Sequence, residues 1–253
     1  MSVDLVFDIL TFLGKSPYGE YYQSPEVLLS QMDKNHIEQS VIVPFTDTPG
    51  PDNFAHQYLL DACLQFPGRF VPFARIDPRY EKISLQILND TVQMGIKGLY
   101  FNPVSTDSLP YLPGVVSFME FVAEMNLPVI IPSGQAYVAL PEQIAFLAKK
   151  VPTLKVIIGH MGTSAHAVRA ISLAASIPNL YLETSLQQSP YRISHLSQLI
   201  LAGKVMFGSA SPYSHPEVEL LKIQEAGLPQ VELEMLLNRN AVELFAQIHG
   251  EIA

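Results

Sequence analysis

Short apolar, β-branched runs alternate along this chain with longer segments of helical period. The runs are VDLVFD (3–8), SVIVPF (40–45), RFVPFARI (69–76), IKGLYF (96–101), LPVIIP (127–132), LKVIIGH (154–160), NLYLETS (179–185) and KVMFGS (204–209). Each has the length and near-continuous hydrophobicity of a strand buried on both faces. Between them, Phe118, Met119, Val122 and Met125, and again Ile144, Leu147, Ala148 and Val151, recur at the three- and four-residue spacing of one helix face. Helix starts are marked at SPE (24–26) and LPEQ (140–143), where Pro sits in a first turn that leaves its N–H unbonded anyway. Helix ends are marked by QMG before IKGLYF and by FPG before RF.

Eight such units in unbroken succession predict an α/β fold closed into a (β/α)8 TIM barrel, as one domain over residues 1–253. A doubly wound open sheet is the competing architecture. In a barrel the working side chains stand at the C-terminal strand ends. Here these are Asp8, Leu10, Phe12, Phe45, Arg75, Tyr100, Asn102, Pro132, Ser133, His160, Glu183, Ser185, Ser209 and Ala210. The stretch VFDILTFLG (6–14) reads as a strand end followed by a turn, with Asp8, Leu10 and Phe12 sharing one parity and pointing to the barrel interior.

Composition narrows the classes. Hydrophobic residues make up 48% and charged ones 15%, enough apolar material for one large core. The net charge of -9, without a Lys/Arg-rich window, excludes nucleic acid as a natural partner. Cys63 is the single cysteine, so no disulfide forms within the chain, and its apolar helical neighbours predict an inert thiol. No run approaches the roughly 18 apolar residues of a membrane span and no basic leader opens the chain, so a cytoplasmic protein without a membrane partner is expected. No nucleophile elbow, phosphate loop or dinucleotide fingerprint is present, and no cofactor is expected. GHMGTSAH places small residues at a helix start, a weak anion site.

The punctuation of the strands resembles that of a known family. FDILTFLG resembles an Asp-x-His-x-His-x-Gly opening, GIKGLYFNP a Gly-x-Lys-Gly-x-x-x-x-Pro strand, and LPVIIPSG a Pro-Val-x-x-His-x-Gly strand. PTLKVIIGHMG resembles a Pro-x-Leu-Lys-x-x-x-x-His-x-Gly strand, and RFVPFARIDP, NLYLETS, VMFGSASP and NRNAVELF complete the order. By these motifs the chain resembles the amidohydrolase superfamily, in its branch of small barrels that includes the aminocarboxymuconate semialdehyde decarboxylase type. The resemblance implies a hydrolase or lyase whose divalent metal, usually zinc, is held by the opening histidine pair, a fifth-strand histidine and an eighth-strand aspartate. Residue by residue these fall on Leu10, Phe12, Pro132 and Ala210. None of these side chains has a lone pair to give a metal, and the seven histidines show no H-x-H or H-E-x-x-H spacing, so no metal is expected.

The resemblance leaves His160 at the family's acid/base position. On an apolar floor its charged form is disfavoured, which predicts a neutral base at pH 7. Asp8, also part of the opening motif, is expected either to orient that imidazole or to tie backbone N–H groups. Glu183 and Ser185 share a parity and therefore a face. Asn102 and Ser133 either bond a substrate oxygen or form turns, and Tyr100 faces either the mouth or the helices. Arg75 and Arg192 are the cations best placed for an anionic substrate, against structural ion pairing, and Tyr213 with His215 forms either part of a lid or a plain surface loop. Leu10, Phe12, Pro132 and Ala210 would line an apolar substrate floor.

Two functions follow. The first is a metal-independent hydrolase or lyase acting on a small carbon-rich carbonyl or carboxylate compound, with His160 as general acid/base and Asp8 beside it. The alternative is a catalytically inactive relative that binds a small molecule or a protein partner. An open pocket onto His160 favours the enzyme, and a mouth plugged by Phe12 and Tyr137 favours the binder. A homodimer is compatible with the aromatic content.

Overall fold

A computed structural model describes residues 5–50, 54–134 and 137–249. The apolar runs form strands β1 (Val6–Lys15), β3 (Ile37–Pro44), β4 (Phe70–Arg75), β5 (Gly98–Tyr100), β6 (Val129–Pro132), β7 (Val156–Gly159), β8 (Leu180–Glu183) and β9 (Val205–Met206), and a short β2 (Tyr22–Gln23) is added to β1. The order β2-β1-β3-β4-β5-β6-β7-β8-β9 is parallel throughout, except that β2 pairs with β1 antiparallel. The segment after β9 returns to β1. Ile9 N–H donates to Phe207 O at 3.0 Å, Ala210 N–H to Leu10 O at 2.8 Å and Phe12 N–H to Ser211 O at 2.8 Å, which closes the sheet into the expected barrel.

Helices follow the strands because the sequence caps them there. Ser24 Oγ accepts the Val27 N–H at 3.3 Å at the start of helix Pro25–Lys34, and the two periodic series form helices Pro113–Glu124 and Pro141–Lys150. Their apolar faces, with Leu28, Phe118, Val122 and Ile144 among them, pack on the outward strand residues such as Leu99, Ile131 and Ile158. A second apolar layer fills the barrel itself, with Ile9, Val41, Phe73, Ile130, Ile157 and Met206. The helix Asn240–His249 stoppers its lower end through Phe245, whose ring lies 5.3 Å from Phe7 and 5.9 Å from Phe73. Inside, a Cβ on Gly98 would stand 2.3 Å from the Phe73 ring, so only glycine leaves that ring its place.

The first strand departs from its expected form. Residues 3 and 4 lie outside the described residues, and the stretch after Asp8 is no turn, because β1 runs on to Lys15 and hairpins into β2. Asp8 is in register with Ser40 but Thr11 with Ile42, three steps on one strand against two on the other, which is a bulge. The bulge resets the alternation: Phe7 and Ile9 face the interior before it, Leu10 and Phe12 after it. Asp8 therefore does not share a face with Leu10 and Phe12. It lies on the side of Ser40, and two steps along β3 that side carries Ile42, which packs against the helix layer.

Candidate active site

Above the C-terminal strand ends lies a pocket of about 530 Å³. Phe12, Arg75, Asn102, Pro132, His160 and Tyr213 line it from the strand ends, with Phe45, Tyr100 and Leu186. Its outer wall is the hairpin between β1 and β2, through Ser16, Pro17, Tyr18, Glu20 and Tyr21. Phe12 is the aromatic centre: Phe45 stacks on it at 5.4 Å, and Tyr100 and Tyr213 meet it edge-on at 5.4 and 5.1 Å. Tyr137 is 87% exposed and is not part of the lining, so it does not plug the mouth.

At one side of this pocket three polar groups are joined. His160 follows β7 in left-handed backbone, φ 60°, as does Met161 at φ 48°. Such a conformation costs a residue with a Cβ about 1–2 kcal/mol, and it is secured by the His160 N–H donating to Glu183 Oε2 at 3.0 Å. The His160 ring meets Ser185 Oγ through Nδ1 at 2.7 Å, and Ser185 O–H donates to Glu183 Oε2 at 2.9 Å. Glu183 Oε1 accepts the Ser185 N–H. Space for this carboxylate exists because residue 208 is glycine: a Cβ there would lie 2.2 Å from Glu183 Oε1. The shared parity of Glu183 and Ser185 thus becomes a direct contact.

Burial governs the charges. Desolvation, assisted by the like charge of Lys222, pushes the His160 pKa down to about 4. Desolvation pushes Glu183 up to about 7, against the bonds from His160 N–H and from Ser185 N–H and O–H. At neutral pH the pair at 3.7 Å between Nδ1 and Oε2 is accordingly a neutral imidazole beside a carboxyl group poised between its two states.

Asp8 is also pushed up to about 7 by burial, but its surroundings differ. Oδ1 accepts the N–H groups of Leu10 at 3.1 Å and Ser209 at 2.9 Å, and the buried Oδ2 has no partner. Of the two roles expected for it, the bonds made are those of a backbone tie across the β1 bulge.

The remaining candidates divide. Ser133 is buried and donates to Ala139 O at 2.8 Å, which shapes a turn. Asn102 lines the pocket while its Oδ1 caps the short helix Pro103–Thr106 through Val104 N–H at 3.0 Å. Leu10 and Ala210 are buried in the interior cluster beneath the pocket. Arg75 lies within it but is held by Asp47, through Nε at 2.9 Å and Nη2 at 3.1 Å. Arg192 is tied to the Ser164 carbonyl, and His215 caps helix Pro216–Glu225 through Glu217 N–H at 3.3 Å. Half-buried Cys63 has its thiol pushed up to about 11 by burial. Tyr18 and Tyr21 of KSPYGEYY (15–22) and the partner Asp47 escaped the sequence reading, although a tyrosine cluster after VFDILTFLG was a visible signal.

The donor set does not suit a divalent metal. Among the described residues no three of His, Cys, Asp and Glu converge to hold one, and Leu10, Phe12, Pro132 and Ala210 offer no lone pair. No described helix is long and apolar enough to cross a membrane.

Comparison with known proteins accords with the barrel fold. The family model described as Amidohydrolase matches residues 6–247. No curated protein matches the chain. Among solved structures, an uncharacterized TIM-barrel protein from Bordetella bronchiseptica superposes with a TM-score of 0.77 at 19% identity, covering 96% of this chain and 99% of that one. A 2,6-dihydroxybenzoate decarboxylase from Rhizobium gives 0.74 at 16% identity, with 98% and 99% covered. A probable 2-pyrone-4,6-dicarboxylic acid hydrolase from Acinetobacter baumannii gives 0.71 at 17%, with 95% and 99% covered.

Proposed function

The chain belongs to the amidohydrolase family, and from that premise we propose that it is a metal-independent hydrolase or lyase acting on a small, carbon-rich carbonyl or carboxylate compound, with His160 as general acid/base. In this reading the metal ligands of the family are replaced by Leu10, Phe12, Pro132 and Ala210. The observation that carries it is the hydrogen-bonded series from His160 Nδ1 through Ser185 Oγ to Glu183 Oε2, at the wall of an aromatic pocket.

The series explains how an imidazole with a pKa near 4 serves as a base at neutral pH. With Glu183 ionised, Ser185 O–H donates to it and His160 Nδ1–H donates to Ser185, so Nε2 presents a lone pair to the pocket. When Nε2 takes a proton from water or from a substrate carbon, the Nδ1 proton passes to Ser185 Oγ and the serine proton to Glu183 Oε2. The ring ends neutral with its proton on Nε2, and the charge change falls on Glu183, whose pKa is about 7. Reversal returns the proton to a leaving oxygen or to carbon. One positioned acid/base of this kind is worth about 10² to 10⁴ in rate, enough for an activated ester, lactone or β-elimination.

The test is to incubate metal-stripped protein and its His160→Ala variant with a metabolite extract and compare compounds by mass spectrometry. A compound consumed by the first and spared by the second supports metal-free catalysis at His160. Compounds retained by both, with none transformed, overturn it in favour of a binding protein.

A further inference from the structure

The pocket holds one cationic side chain among the described residues that line it, Arg75, and that charge is already spoken for. Its guanidinium grips the Asp47 carboxylate in bidentate fashion at 2.9 and 3.1 Å, and its Nη2 also donates to Ser105 Oγ at 3.1 Å. The ion pair is secluded, with side-chain exposures of 7% for Arg75 and 15% for Asp47. In front of it stands Tyr100, whose ring lies 5.5 Å from the guanidinium carbon. The other titratable groups that line the pocket or adjoin His160 supply it no positive charge. His160 is neutral, Glu183 stands behind it, and Glu20 sits on the hairpin wall with Ser16 O–H donating to its Oε2 at 3.0 Å. Lys222, on the outer helix, is bonded to Glu219.

Building on the reading of this pocket as the substrate site, we propose that it selects flat, uncharged, conjugated carbonyl compounds such as lactones and turns away the corresponding carboxylates. A flat conjugated ring matches the wall of Phe12, Phe45 and Tyr213, which offers stacked and edge-on contacts. A carbonyl oxygen needs only a neutral donor, which the tyrosine hydroxyls provide, Tyr100 being held protonated by burial. A carboxylate would shed its hydration without gaining a free cation, while facing Glu20 and the Asp47–Arg75 pair. An unpaired charge in such a place is costly. Asp47 and Glu20 are on this view the specificity-determining residues.

Coumarin and coumarin-3-carboxylate, a neutral lactone and its acid, provide matched probes for calorimetric titration of the full chain at pH 8. The wild type is expected to bind coumarin about tenfold or more tightly than its carboxylate. Asp47→Asn, which leaves the guanidinium charge uncompensated, is expected to raise carboxylate affinity about tenfold. Glu20→Gln, a change at an exposed position that tests the idea without risk to the core, is expected to raise it about threefold at low salt and less at high salt. Equal or stronger binding of the carboxylate by the wild type overturns the proposal, as does binding of neither probe. Carboxylate affinity unmoved in both variants overturns it too. Repeating the titration with His160→Ala separates this outcome from the catalytic one: a lactone preference that persists there supports the selection even where no turnover is found.

Discussion

Two buried carboxyl groups, Asp8 and Glu183, are pushed to the same pKa of about 7 by the same desolvation, yet they belong to different kinds of place. Each has a serine beside it, Ser209 for Asp8 and Ser185 for Glu183. The Asp8 bonds end on the N–H groups of Leu10 and Ser209 and on the Ser209 side chain, at the seam where β1 meets the chain after β9. The Glu183 bonds continue through a hydroxyl to an imidazole at the pocket. Burial alone thus makes a carboxyl group unusual, and only a hydrogen-bonded route links it to the pocket.

The largest effect that bears on this contrast is on stability. A carboxyl whose folded pKa is raised contributes stability that is present below its unfolded pKa and is lost as pH rises through its folded pKa. For Asp8, the rise from an ordinary 3.8 to about 7 corresponds to a loss on the order of 4 kcal/mol between pH 4 and pH 7. Asp8→Asn is expected to remove that loss, so that urea midpoints measured from pH 4 to pH 8 fall less steeply than in the wild type. His160, with its pKa lowered, acts with the opposite sign between about pH 4 and 6.5 in both proteins and cancels in the difference. A turnover loss in Asp8→Asn as great as that in His160→Ala, with the fold intact, would break the comparison.

Ser185→Ala gives the next effect. Removing the hydroxyl cuts the route from Nδ1 to Oε2, and turnover is expected to fall about ten- to a hundredfold, with the pH of half-maximal kcat/KM moving from near 7 towards the lower value of the isolated imidazole. An unchanged pH profile would show that Glu183 takes no proton. The smallest effect is expected for Ser209→Ala, whose hydroxyl accepts the Ser211 N–H at 3.1 Å. It should cost about 1 kcal/mol in chemical denaturation and leave the pH profile of turnover in place. A profile that shifted as in Ser185→Ala would make the two regions equivalent.

Much of the fold was legible in the chain. Eight apolar runs, each followed by a helical segment, led to the barrel; strand-end positions found seven side chains of the pocket, Phe12, Phe45, Arg75, Tyr100, Asn102, Pro132 and His160, and the loop after the eighth strand added Tyr213. The β1–β2 hairpin was misread as a turn, because Phe7 and Ile9 before a bulge and Leu10 and Phe12 after it break the period of two. Asp8 was placed beside His160 for the same reason. Asp47 went unnoticed, since nothing local in VPFTDTPG marks it as the partner of an arginine 28 residues later.

The sequence by itself determined the order of strands and helices, the apolar character of Leu10, Phe12, Pro132 and Ala210, and the presence of one histidine at the end of the sixth parallel strand. Those properties follow from side-chain chemistry and local backbone period. Tertiary structure alone decided that Asp8 ties the N–H groups of Leu10 and Ser209, that Ser185 bridges His160 to Glu183, and that Asp47 claims the charge of Arg75. Each of these depends on the meeting of segments tens to hundreds of residues apart, where bulges, left-handed turns and the space left by a single glycine set which atoms come within hydrogen-bond reach.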